Sequence, residues 1–152
     1  MHDLEIAKRQ LLEKGFSLVI EKSGLVIFGT KLQGIAGFLE AIEKFGRGGL
    51  DGAFVADKVV GRAAALLCVF CGVKAVYAVV LSKGGREVLE ENGVALEFES
   101  LVPSVLNKRK TDVCPFEKAV ANVSRPEEAY EKLKSCMKEM AQSKKTKATF
   151  SL

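Results

Sequence analysis

Between Ala53 and Phe98 apolar runs alternate with helical stretches, and few folds accept that alternation. Ala53–Ala56 (AFVA) and Lys74–Leu81 (KAVYAVVL) lack the polar residue at every second position of a half-solvated strand. Both therefore call for cover on two faces of a sheet. The first run is followed by a polar pair, Asp57-Lys58, and then by a strongly apolar helix through Leu66 to Phe70. The second is followed by an amphipathic helix, Ser82–Glu91, closed by Asn92-Gly93. Val94–Phe98 alternates apolar and charged residues, which suits an edge. Strand, helix, strand, helix, strand makes two consecutive crossover units, so this half pairs in parallel.

The flanking segments complete one domain. Asp3–Lys14 carries Leu4, Ala7 and Leu11 at helical spacing and stops at Gly15. Phe16–Ile20 and Leu25–Phe28 are β-rich and separated by Glu-Lys-Ser-Gly, the pattern of an antiparallel hairpin. Ile35, Phe38, Leu39, Ile42 and Phe45 form a helical stripe. Gly46–Gly52 holds four glycines in seven residues and reads as a flexible connector; it has no Gly-Lys-Ser/Thr ending and precedes a strand, unlike a phosphate loop. After Leu101–Asn107 and the basic triplet Lys108-Arg109-Lys110, a short helix is expected around Phe116–Val120. Ser124-Arg125-Pro126-Glu127-Glu128 then starts a helix reaching to about Met140: a Ser cap, Pro in the first turn and acids at the positive end of the dipole. Residues 1–141 are thus read as one α/β domain and 142–152 as a basic, flexible tail.

Bulk properties exclude several classes. At 152 residues the chain is long enough for a core without staples. Its four cysteines are too sparse for a disulfide scaffold, no signal-peptide pattern precedes Leu4, and no apolar run approaches the roughly 18 residues of a membrane span. The expectation is a cytoplasmic protein with reduced thiols and no membrane partner. The net charge of +4 is local: from Lys134 onward five lysines face one acid, Glu139, and everything before sums to zero. Without tryptophan, and with Phe150 as the lone tail aromatic, a nucleic-acid partner is disfavoured; weak binding through the lysine-rich end is the residual form of that reading.

Charge interrupts the core at one place, the end of the first apolar strand, where open α/β sheets hold ligands. Asp57 there is a candidate acid, base or orienter. Lys58 and Arg62, four residues apart, are candidate anion ligands facing one mouth, helped by the free N–H groups of the helix start. Ser82 ends the next strand and joins the ligand-binding set. Asn107 and Arg109 suit recognition of a base edge, carboxylate or phosphate. Cys114, just before Pro115, is the candidate nucleophile or thiol sensor, with Glu117 spaced to close a capping arrangement around it. Cys68 and Cys71 spell CxxC but fall near a helix C-terminus, where the dipole disfavours a thiolate, so they read as core packing. The one histidine, His2, sits at the chain end and is a poor base for Cys114.

These residues also carry a resemblance. The run from Asp57 to Leu66 (DKVVGRAAAL), with Ser82, Asn107-Lys108-Arg109 and Cys114-Pro115-Phe116-Glu117, resembles an uncharacterised bacterial family, domain of unknown function 1893, over about residues 15 to 121. Its members are grouped with the cytidine deaminase-like fold. The resemblance therefore implies a three-layer α/β/α sandwich with a mixed five-stranded sheet in the order 2-1-3-4-5. It does not imply deamination. Zinc deaminases place a His or Cys with a Glu at one helix start and Pro-Cys-x-x-Cys at the next, whereas TKLQGIA (Thr30–Ala36) and DKVVG (Asp57–Gly61) contain no such ligands. What the resemblance implies is that both helix starts line a metal-free pocket, with no cofactor.

The sequence thus points to a domain binding a small anionic or nucleotide-like metabolite, with a non-catalytic sensor or protein-interaction module as the alternative. Self-association is compatible with either.

Overall fold

In the computed structural model, residues 2–150 are described; Met1, Ser151, Leu152 and the side chains of His2 and residues 144–150 lie outside the described set. The expectations for His2, Phe150 and most of the lysine-rich end fall on those residues.

The sheet has five strands in the order β2-β1-β3-β4-β5: β1 (Leu18–Lys22), β2 (Leu25–Thr30), β3 (Phe54–Val60), β4 (Ala75–Ser82) and β5 (Ala95–Val102). β1 pairs antiparallel with both β2 and β3, while β3, β4 and β5 are parallel, so the sheet is mixed in the order the family resemblance implies. Helix α1 (His2–Lys14) covers one face, burying Leu4, Ala7 and Leu11 against Val19, Phe54, Ala56 and Tyr77. On the other face lie α2 (Ala36–Leu50), α3 (Arg62–Cys71) and α4 (Lys83–Glu91). α6 (Pro126–Phe150) packs along the outer side of α3, burying Ala129 and Leu133.

α3 is the axis of this layer. Eight of its ten residues are buried, so it is apolar all round, as a helix enclosed by the sheet and other helices must be. Ala63, Ala64 and Ala65 keep its first turn thin, and Gly85 of α4 lies so close that an added Cβ would stand 3.0 Å from Gly61 and from the Val60 carbonyl. Cys68 and Cys71 are buried in this helix. Burial pushes both thiols up, Cys71 to about 12, which suits packing residues and not redox ones.

Several boundaries differ from the sequence expectation. β3 does not end at Ala56: its ladder continues through Asp57, paired with Leu18 and Ala78, to Val60, paired with Leu81. Asp57 and Lys58 are therefore strand residues, and Lys58 lies outside the helix of Arg62. The Gly46–Gly52 stretch is mostly helical, not a free connector. α2 breaks at Gly46, where φ is 70°, and resumes to Leu50, while the Lys22 ammonium binds the Gly49 carbonyl at 3.0 Å. α6 begins at Pro126 as the capping signals require, but runs beyond Met140, because AQSKKTKA contains no Gly or Pro to stop it. Among the described residues no helix is long and apolar enough to cross a membrane.

Candidate functional site

The starts of α2 and α3 face each other across a cavity of about 60 Å³. Ile35 and Phe38 line it from the α2 side, Asp57 and Gly61 from the junction of β3 with α3. The roof is a strap, residues 103–125, that leaves β5, carries the short helix α5 (Pro115–Ala119) and leads into α6. Val105, Cys114, Phe116 and Glu117 of this strap line it from above.

Asp57 is 9% exposed. Loss of solvent pushes its carboxyl from the ordinary 3.8 up to about 7, against the pull of the Val59 and Lys58 backbone N–H groups; Val59 N–H donates to Oδ1 at 3.4 Å. Among the described residues no cation forms an ion pair with it. Side chains alternate across a strand, so while Asp57 faces the cavity, Lys58 projects from the opposite side of the sheet and is exposed.

Arg62 corrects the expected anion clamp. Its Nε donates to the Val120 carbonyl at 2.9 Å and its Nη2 to the Val123 carbonyl at 2.5 Å, so the guanidinium holds the turn between α5 and α6. The N–H groups at the α3 start are also engaged. Glu117 accepts from Arg62 N–H through Oε1 at 2.7 Å and from Ala63 N–H through Oε2 at 2.8 Å. Burial pushes Glu117 upward, opposed by those two N–H groups and by Arg62. Strap and helix thus clasp each other: a carboxylate from the strap caps α3, and a side chain from α3 caps the strap. Glu117 does not close a box around Cys114, since its carboxylate is spent on another helix.

The other expected ligands serve local structure. Ser82 is the N-cap of α4, its Oγ accepting from Gly85 N–H at 2.9 Å, and is 2% exposed. Ser82→Ala should lower stability by about 1 kcal/mol, read as a reduced urea midpoint. Asn107 closes the strap's own turn, its Oδ1 accepting from Thr111 N–H at 3.1 Å and its Nδ2 donating to Thr111 Oγ1 at 3.2 Å. Arg109 is exposed in that turn. Lys58, Arg62, Ser82, Asn107 and Arg109 do not line the cavity, whereas Asp57 and Cys114 do. Glu117 is the residue whose role the sequence concealed. The available signal was Gly61, a helix cap without a side-chain acceptor, which leaves the first N–H groups of α3 to be satisfied from elsewhere. Among the described residues no group of three or more His, Cys, Asp or Glu is placed to hold a metal ion.

The family model "Domain of unknown function (DUF1893)" matches residues 6–137. The chain belongs to the DUF1893 family. The crystal structure of a DUF1893 family protein from Thermotoga maritima superposes with a TM-score of 0.81 at 32% identity, covering 88% of this chain and 89% of that one. A diaminohydroxyphosphoribosylaminopyrimidine deaminase/5-amino-6-(5-phosphoribosylamino)uracil reductase, also from Thermotoga maritima, aligns at 19% identity with a TM-score of 0.44, over 78% of this chain and 39% of that one. No curated protein matches. The DUF1893 match runs from within α1 to about the middle of α6, so the strap and its clasp fall inside the family's extent.

Proposed function

We propose that this DUF1893 domain binds a small molecule in the cavity beneath the strap, and that Asp57 is the group that recognises it. The observation that carries this is a buried carboxyl, without an ionic partner among the described residues, facing a cavity between two helix starts. The anionic ligand expected from Lys58 and Arg62 loses its basis, because one cation is on the other face and the other is committed to carbonyls. Of the two carboxyls lining the cavity, Glu117 is committed to the α3 start and Asp57 is left to the ligand, which favours one presenting N–H or O–H donors. The nucleotide-like part of the expectation survives in altered form: a carboxylate accepts from the amino or imino edge of a base. About 60 Å³ admits only such an edge, since cavities for whole ligands run to several hundred Å³. The remainder of the molecule would rest on the apolar rim, where Val59 is 44% exposed. Binding alone accounts for this arrangement, which supports the sensor reading over turnover.

The test is a thermal-shift and calorimetric screen of nucleobases, nucleosides and small amines, with inorganic phosphate and carboxylic acids alongside. Donor-bearing compounds should bind, more tightly above pH 7 where Asp57 is ionised. Asp57→Asn should weaken binding by at least about tenfold, the cost of one charged hydrogen bond. Selective binding of phosphate, or an affinity indifferent to Asp57→Asn but lost in Lys58→Ala, would overturn the proposal.

A further inference from the structure

Of the four cysteines, two are sealed in α3, while Cys114 and Cys136 are half-buried. They belong to different elements that the fold brings to one end of α3. Tyr130 of α6 stacks on Phe70, in the last turn of α3, with ring centroids 4.4 Å apart. Beyond it Leu133 is fully buried and Met137 packs on the same core, so α6 continues along α3 towards the start of that helix. At 1.5 Å per residue, Cys136 stands about 9 Å past Tyr130, most of the roughly 12 Å from Phe70 back to Arg62. At that level α5 is pinned to the α3 start by Glu117 and packs on α6. Cys114 is the residue immediately before α5, its N–H held by the Val105 carbonyl at 2.9 Å. Burial first, then the charge of Glu139 and lastly that of Cys114, raise the Cys136 thiol, and the last of these is felt only by a neighbour.

We propose that Cys114 and Cys136 form an oxidation site, which hydrogen peroxide converts into a disulfide tying the strap to α6. The inference is independent of what the cavity binds. Cys114, on the cavity wall, reacts first: its sulfur attacks one peroxide oxygen, the O–O bond breaks, and hydroxide departs as water with the thiol proton, leaving a sulfenic acid. The Cys136 sulfur then attacks Sγ of Cys114, forming the S–S bond and expelling the sulfenic oxygen as a second water. Two thiols and one peroxide become one disulfide and two waters. Cys68 and Cys71 cannot substitute, because both are sealed inside α3 where peroxide has no access, whereas Cys114 and Cys136 are half-buried.

The experiment treats the full chain with sub-millimolar hydrogen peroxide, blocks remaining thiols, and maps peptides without reduction. Expected is the loss of two free thiols per chain, recovered by dithiothreitol, and a linked peptide joining Cys114 to Cys136. Because the pair is held by the fold, the native chain should form the link at least about tenfold faster than the chain in urea. In Cys136→Ser the Cys114 sulfenic acid should persist and be trapped by dimedone. Four surviving thiols, conversion of Cys114 to sulfinic acid while Cys136 remains free, a link between two chains, or equal rates in native and urea-unfolded protein would each overturn the proposal.

Discussion

Replacing Asp57 by Asn should make the protein relatively more stable as pH rises from 4 to 7. The carboxyl stands near 3.8 in an unfolded chain and about 7 in the fold, because burial penalises its charged form. Below pH 4 both states are protonated and the group is neutral in its effect. Between those values the unfolded chain has lost the proton that the folded one retains, so the fold loses stability as pH climbs. A rise from 3.8 to about 7 corresponds to about 4 kcal/mol by linkage. Glu117 is also raised and adds a slope of the same sign, so wild-type and variant must be compared at each pH. The measurement is urea unfolding from pH 4 to 8. The difference between the two proteins should grow through this window and level off above pH 7. A constant difference would mean that Asp57 is not desolvated.

Gly61→Ala is the second large effect. Gly61 has φ of −103°, so its backbone tolerates any residue, and the obstacle is space. A Cβ there would overlap Glu117 Oε1 and stand 2.7 Å from Val105 Cγ2. Glu117 would have to leave the α3 start, adding the loss of two charge-assisted bonds to the overpacking, about 3 kcal/mol together. Combining it with Glu117→Ala separates these parts. Once the carboxylate is gone the added methyl should cost much less, giving a coupling of about 1–2 kcal/mol. Simple additivity in denaturant unfolding would disprove the clasp.

Much of this architecture was legible in the residues. The parallel half announced itself because AFVA and KAVYAVVL admit no solvated face, and Pro126 with its neighbouring acids marked the start of α6. The limits of β3 were not legible. Asp57-Lys58 looks like a strand end because charge usually stops a buried strand, and only the ladders to β1 and β4 keep it going. Spacing paired Lys58 with Arg62 on the premise of one helix, and the extension of β3 removed that premise. Glu117 was hidden by distance. Its partners stand 55 and 54 positions earlier in the chain, and no local pattern encodes a cap supplied from so far away. Asp57 and Cys114 were singled out as polar letters at strand and helix ends, yet that they line one cavity is a fact of tertiary packing.

The remote origin of the α3 cap also orders events during synthesis. A nascent chain that has emerged as far as Val102 already contains all five strands and the helices between them. The N–H groups of Arg62 and Ala63 still have no carboxylate, because Glu117 is translated later. At roughly 5–20 residues per second the ribosome needs on the order of a second to deliver it. Through that interval the end of the sheet that will hold the cavity is roofless, and it closes only when the strap docks and α6, made later still, packs along α3.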